Sequence, residues 1–127
     1  MQKIIALILF TFFSNISFSQ SAKIEFSAKE NTIDYGKVTK ASDSGVRVFE
    51  FTNTGESPLL ITDVLSTTGF TIMTKPNAPI LPGKKGKIEV KYNMATGPIR
   101  KTITVESNAA NYDGGRIALK IKGEVTE

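Results

Sequence analysis

The chain has 127 residues, with 16 lysines and arginines against 12 aspartates and glutamates, a net charge of +4, and no histidine, cysteine or tryptophan. That composition excludes disulfides, thiolate chemistry, the usual zinc sites and both Ser-His-Asp and Cys-His catalysis. The length favours one domain, and the lysines are spread along the chain, which suits solubility better than nucleic-acid binding.

Residues 1–19 read as a secretory signal peptide. Lys3 is a short positive start, Ile4 to Phe13 is an apolar run broken only by Thr11, and Ser17-Phe18-Ser19 places small residues three and one before a cut. Cleavage is expected between Ser19 and Gln20, with cuts after Ser21 or Ala22 as alternatives. The alternative of a membrane anchor is disfavoured by length: the run would rise only ~15 Å as a helix, against a hydrocarbon core of ~30 Å. Loss of Lys3 leaves a net charge of +3. With no cysteine near the cut to carry a lipid, the expected product is a soluble protein of the periplasm or cell surface, with no stable membrane insertion.

Residues 20–31 are a leader or a first strand, with Ile24 and Phe26 on one side. The domain proper is expected over 32–127. Thr32 to Gly36 places Ile33 and Tyr35 on one face and ends on a glycine, and Val38 to Ser44 is polar. Val46 to Thr52 sends Phe49 and Phe51 one way and Val48, Glu50 and Thr52 the other. Asn53 to Pro58 is a turn cluster. Leu59 to Val64 is apolar enough for a strand buried on much of both faces, and Phe70 to Met73 makes a short one. Pro76, Pro79 and Pro82 forbid a helix or a central strand, so they mark a surface loop. Pro82-Gly83 is a turn signal. Lys87, Glu89, Lys91 and Asn93 then alternate with Ile88, Val90, Tyr92 and Met94, a period of two with one wet and one dry face. Gly97-Pro98 reads as a second turn. Lys101 to Ser107 alternates again, Asn108 to Gly115 is a loop, and Ile117, Leu119, Ile121 and Val125 form a last dry face. Gly123 lies on that face as a candidate bulge.

A strand wet on one side needs a sheet, and the sheet needs a second layer over its dry face. About seven antiparallel strands, no helix after the signal peptide, and turn signals between them predict an all-β immunoglobulin-like sandwich; a closed barrel is the competing arrangement.

Several ordered segments resemble a known family. They are Phe49-Glu50-Phe51-Thr52-Asn53-Thr54-Gly55, Pro58 to Val64, Pro79-Ile80-Leu81-Pro82-Gly83, Lys101 to Asn108, and Ile121 to Val125, with Asp34-Tyr35-Gly36 matching an Asp-Phe-Gly start. They are similar to the exported bacterial proteins known as domain of unknown function 1573, common in Bacteroidetes. That family is related in fold to major sperm protein and Hydin-type domains. The resemblance implies an Ig-like fold and an exported address, and it implies no reaction. The family's Cys-Gly-Cys is replaced here by Thr68-Gly69-Phe70, so thiol or metal chemistry there does not carry over.

Other candidates have structural readings beside the functional ones. Asn111-Tyr112-Asp113-Gly114-Gly115 has oxygen ligands and glycines but lacks the carboxylates of a calcium loop, so a hairpin turn is the expectation. Lys84-Lys85-Gly86-Lys87 reads as a solvated face before it reads as a glycan or lipid site. Tyr112 or Tyr35 stacks on a sugar if exposed and closes the core if not. No catalytic, cofactor-binding or metal residues are assigned, and no cofactor is expected. The expected function is a non-catalytic protein-binding or scaffolding module that engages an envelope protein by edge-strand pairing; the alternative is a small carbohydrate-binding or adhesion module. N-terminal sequencing of the exported protein is expected to begin at Gln20; an unprocessed Met1 terminus would contradict the signal-peptide reading.

Overall fold

The computed structural model describes residues 21–127, so the signal peptide and its expected cut at Ser19 and Gln20 lie outside the described residues. Eight strands run in chain order: β1 Ile24–Phe26, β2 Thr32–Thr39, β3 Val46–Asn53, β4 Ile61–Leu65, β5 Phe70–Thr74, β6 Lys85–Tyr92, β7 Gly97–Ser107 and β8 Arg116–Thr126. They form two four-stranded sheets, ordered β1-β3-β6-β5 and β2-β8-β7-β4. Neighbours are antiparallel except β2 and β8, which are parallel. This is the Ig-like sandwich that the alternating pattern predicts. Among the described residues the only helical structure is two three-residue 3-10 turns.

The dry faces meet as the period of two requires. Phe49, Phe51, Ile88 and Val90 from the first sheet close on Ile103, Val105, Ile117 and Leu119 from the second, all fully buried. Aromatic groups plug the two ends. Phe26 lies 5.4 Å from Phe51 at one end, and Phe70 lies 4.7 Å from Tyr92 at the other. Gly86 occupies an inner-row position of β6, where an added Cβ would come within 2.6 Å of the Phe51 ring. A larger residue there would displace the phenyl group from the core.

Four local expectations change. β2 does not stop at Gly36; it bulges at Tyr35 and Gly36 and continues to Thr39. The bulge therefore lies in β2, opposite Gly123 rather than at it. Gly123 has φ +149°, and a Cβ there would meet the Tyr35 Cβ at 2.7 Å, so glycine is required where the bulged strand presses close. Leu59 to Val64 is not buried on both faces: β4 is an edge strand, and Leu60 and Leu65 are each more than 40 % exposed. Gly97-Pro98 is not a turn but the start of β7. The chain reverses just before it, where Met94 takes φ +62°.

Asn53 is the one fully buried polar residue of the described chain. Its Oδ1 accepts from the Gly55 N–H at 2.9 Å and the Lys23 N–H at 3.4 Å. Its Nδ2 donates to the Ser57 and Ile80 carbonyls, both at 2.8 Å. One amide thus joins the segment before β1, the β3–β4 turn and the loop before β6. These bonds are part-buried, so losing the amide leaves four backbone groups short of a partner in a partly desolvated setting. Asn53→Ala is expected to cost about 2–3 kcal/mol, from part-buried donors and acceptors left unpaired. Val48→Ala, on the outer face of the same strand, should stay within about 0.5 kcal/mol. Paired urea denaturations check this, and equal midpoints for the two variants would refute the role given to the amide.

Candidate functional site

A sandwich has unmet bonding capacity at its sheet edges. The edge strands are β1 and β5 in one sheet and β2 and β4 in the other. β1 is sealed by a side chain that imitates a strand: the Ile24 N–H donates to Asn111 Oδ1 at 3.1 Å, and Asn111 Nδ2 donates to the Ile24 carbonyl at 2.9 Å. β2 is broken by its bulge, where the Gly36 N–H turns to Asp34 Oδ1 at 2.8 Å. In β4 the Val64 N–H is taken by Asp63 Oδ1 at 2.8 Å. β5 shifts register between Ile72 and Thr74. Bulges and side-chain caps of this kind deny a continuous ladder to a stray strand.

β7 is different. It has eleven residues, yet β4 pairs only with Thr104 to Ser107. The flank from Gly97 to Ile103 has no neighbouring strand on that side. Backbone groups in a strand point alternately to its two flanks. The Asn108 N–H donates toward β4, to the Leu60 carbonyl, so residues 106, 104, 102, 100 and 98 share that direction. Two observations agree. Val64, opposite Val105, turns its N–H away from β7 to Asp63. Pro98, which has no N–H, falls where no partner strand asks for one. The N–H and C=O groups of Arg100 and Thr102 are therefore left on an open flank, with no hydrogen bond to any other described segment on that side.

The side chains around this flank are basic. Arg100 lies directly opposite Lys122 on the outer face, and Thr102 opposite Lys120. A shallow hollow of about 420 Å³ is lined by Thr32, Arg100, Lys101, Thr102, Lys120, Ile121 and Lys122, with no carboxylate among them. Like charges facing each other across two strands destabilise a sheet. Asp34 is the acid nearest in register, beside Lys122 on β2, and its Oδ1 is held by the Gly36 N–H. Lys101 shares the inner row with buried Ile99 and Ile103 and is itself half-buried.

The residues singled out in the sequence fall elsewhere. Tyr35 is buried, its hydroxyl donates to the Gly45 carbonyl at 2.6 Å, and the Arg47 guanidinium lies 4.0 Å above its ring. Asp43 grips Arg47 through both oxygens, at 3.0 and 2.7 Å. Burial pushes the Tyr35 hydroxyl up to about 12, with Arg47 opposing. The Arg47 hydrogen bonds, aided by the Gly45 N–H, hold Asp43 down at about 2. Tyr112 is half-buried against the core, and its hydroxyl accepts from Asn31 Nδ2 at 3.1 Å. Neither ring is an exposed platform. In the Asn111–Gly115 loop, Asn111 is engaged in sealing β1. Lys85 and Lys87 line the outer face opposite Thr52 and Glu50, as a solvated face does. Thr68-Gly69-Phe70 makes the crossing from β4 to β5, where the Gly69 carbonyl accepts from the Asn93 N–H at 2.9 Å. The roles of Asn53, Asn111 and the Asp43–Arg47 pair escape sequence reading, because their partners are remote or their residue types are common in turns.

Comparison with known proteins gives a family and a fold. The family model described as "Protein of unknown function (DUF1573)" matches residues 24–125. A protein of unknown function from Porphyromonas gingivalis W83 superposes with a TM-score of 0.65 at 19 % identity, over 84 % of this chain and 48 % of that one. The secreted serine protease VesC of Vibrio cholerae superposes with a TM-score of 0.59 at 16 % identity, over 81 % of this chain and 23 % of that one. The ASH/PapD-like domain 7 of human CEP192 superposes with a TM-score of 0.55 at 12 % identity, over 84 % of this chain and 87 % of that domain. The chain thus spans under half the length of the first two, and at these identities the likeness is one of fold. No curated protein matches in sequence.

Tyr35 and Asp43 each make folding depend on pH. The raised value of Tyr35 adds stability that is complete below the unfolded value of ~10 and is lost as pH rises toward 12. Asp43 is lowered, so its contribution is complete above about pH 4 and is lost as pH falls toward 2. Tyr35→Phe removes the first contribution. The stability gap between wild type and Tyr35→Phe is expected to narrow between about pH 9 and about pH 12. Denaturant titrations across that range test it, and a gap independent of pH would refute it.

Proposed function

The chain belongs to the DUF1573 family, and from that footing we propose that it is a non-catalytic protein-binding or scaffolding module of the cell envelope. It engages its partner by strand addition to an open sheet edge. The observation that carries this reading is the uncovered flank of β7, where Arg100 and Thr102 keep unpaired backbone groups while the other edges are bulged or capped. A strand laid along such a flank gains main-chain hydrogen bonds, and its alternate side chains supply specificity. The absence of histidine and cysteine and the expected signal peptide support a binding role outside the cytoplasm. The PapD-like domain of human CEP192 shares the architecture, although a fold alone does not assign an activity.

A photo-crosslinking amino acid placed singly at Thr32, Thr62, Thr71 and Thr102 samples one site on β2, on β4, on β5 and on the open flank of β7. Crosslinking in the native cell is expected to give a discrete protein adduct from Thr102. The absence of adducts at all four positions would overturn the reading.

A further inference from the structure

The open flank of β7 does more than invite a strand; its side chains select one. We infer that the segment bound there is an extended acidic peptide with two adjacent carboxylates, one facing Arg100 and the other facing Lys101. The inference rests on the protein-binding reading above and adds the chemistry of the partner.

The argument follows the register. A strand added beside β7 continues the sheet at a spacing of about 4.8 Å, with side chains alternating between the two faces. Its residue opposite Arg100 stands on the outer face, beside the like-charged Arg100–Lys122 pair and near Lys120. A carboxylate there relieves a repulsion that the free protein retains. Its next residue, opposite Lys101, turns to the inner face. Lys101 sits there between Ile99 and Ile103 and has no ion-pair partner among the described residues. A charge turned inward at an edge guards that edge, since an apolar strand docking over it would bury an unpaired ammonium. A carboxylate opposite Lys101 turns the guard into a partner. The positions opposite Ile99 and Ile103 take apolar side chains. The motif therefore reads apolar, acidic, acidic, any residue, apolar, in the order facing Ile99 to Ile103.

Charge complementarity favours a peptide over an acidic glycan or a lipid surface. Either of these could neutralise Arg100, Lys120 and Lys122, but neither presents the ladder of amide groups that Arg100 and Thr102 leave unpaired. Asp34, beside Lys122 on β2, and Glu124, opposite Pro98, bound the basic patch on its β2 side and at its Pro98 end. An incoming acidic strand is thereby directed to the stretch from Arg100 to Thr102.

The test is selection of displayed random octapeptides on the purified protein, followed by amide chemical-shift mapping with the best synthetic peptide. Enriched sequences are expected to carry the paired acids between apolar residues and to shift the Arg100 and Thr102 amides. Binding should weaken at least tenfold in Lys101→Glu and in Arg100→Glu. Arg100 is exposed, so its variant remains informative if Lys101→Glu fails to fold. Peptides of another composition, or no enrichment, would overturn the inference. Acidic peptides displaced by heparin without shifts at Arg100 and Thr102 would also overturn it, showing an unspecific anionic surface. Peptides that bind along β5 or β2 would overturn it too while leaving the protein-binding reading intact.

Discussion

Every peptide group drawn into this sandwich has to find a hydrogen-bond partner or stay in water, and most of the structure can be traced to that requirement. The central strands β3, β6, β7 and β8 satisfy it through ladders. The margins need other means. The Asn53 amide supplies donors and acceptors to three segments that have no strand of their own. Asn111 stands in for a missing strand beside β1. No buried side-chain nitrogen or oxygen is left without a partner among the described residues. Backbone at the edges keeps unmet capacity, and one stretch of it follows from a mismatch in length. β7 runs for eleven residues and β4 for five.

The same economy shapes the aromatic ends. Tyr35 reaches across from the second sheet to pack on Phe70 and Tyr92 of the first. Its hydroxyl ties the β2–β3 connection at Gly45, and Arg47 covers its ring while Asp43 holds Arg47 in place. A cation over a ring is worth about 1–2 kcal/mol when partly desolvated. The pair here also fixes where β3 begins. Titratable groups with displaced proton affinities often mark reactive sites. In this chain they mark a structural clasp, because each group is held by a structural partner.

The proposed role turns on the placement of charge relative to unpaired backbone. Arg100, Lys120 and Lys122 share one outer face, and Lys101 holds an inner-row position. Charges placed at an edge oppose unspecific strand pairing. The affinity proposed for an acidic strand rests on these same residues.

Much of the fold is legible in the sequence. Ile88-Val90-Tyr92, Phe49-Phe51 and Ile117-Leu119-Ile121 declare their faces because side chains in a strand alternate whatever the strand's neighbours are. The missing histidine and cysteine exclude whole chemistries before any coordinate is known. The order of strands, and thus which edges stay open, is not written locally. Leu59 to Val64 is as apolar as a central strand, yet it lies at an edge, and Gly97-Pro98 has the composition of a turn, yet it begins the strand that outruns its neighbour. Pairing joins residues far apart in the chain, such as Thr32 with Lys120 and Asn53 with Ile80, and no periodicity carries that information. Residue types alone determined which side chains of each strand turn inward, and they made two layers the expectation over a closed barrel. Only the packed structure decided where one strand outruns its neighbour, because that depends on how segments distant in sequence come to lie side by side.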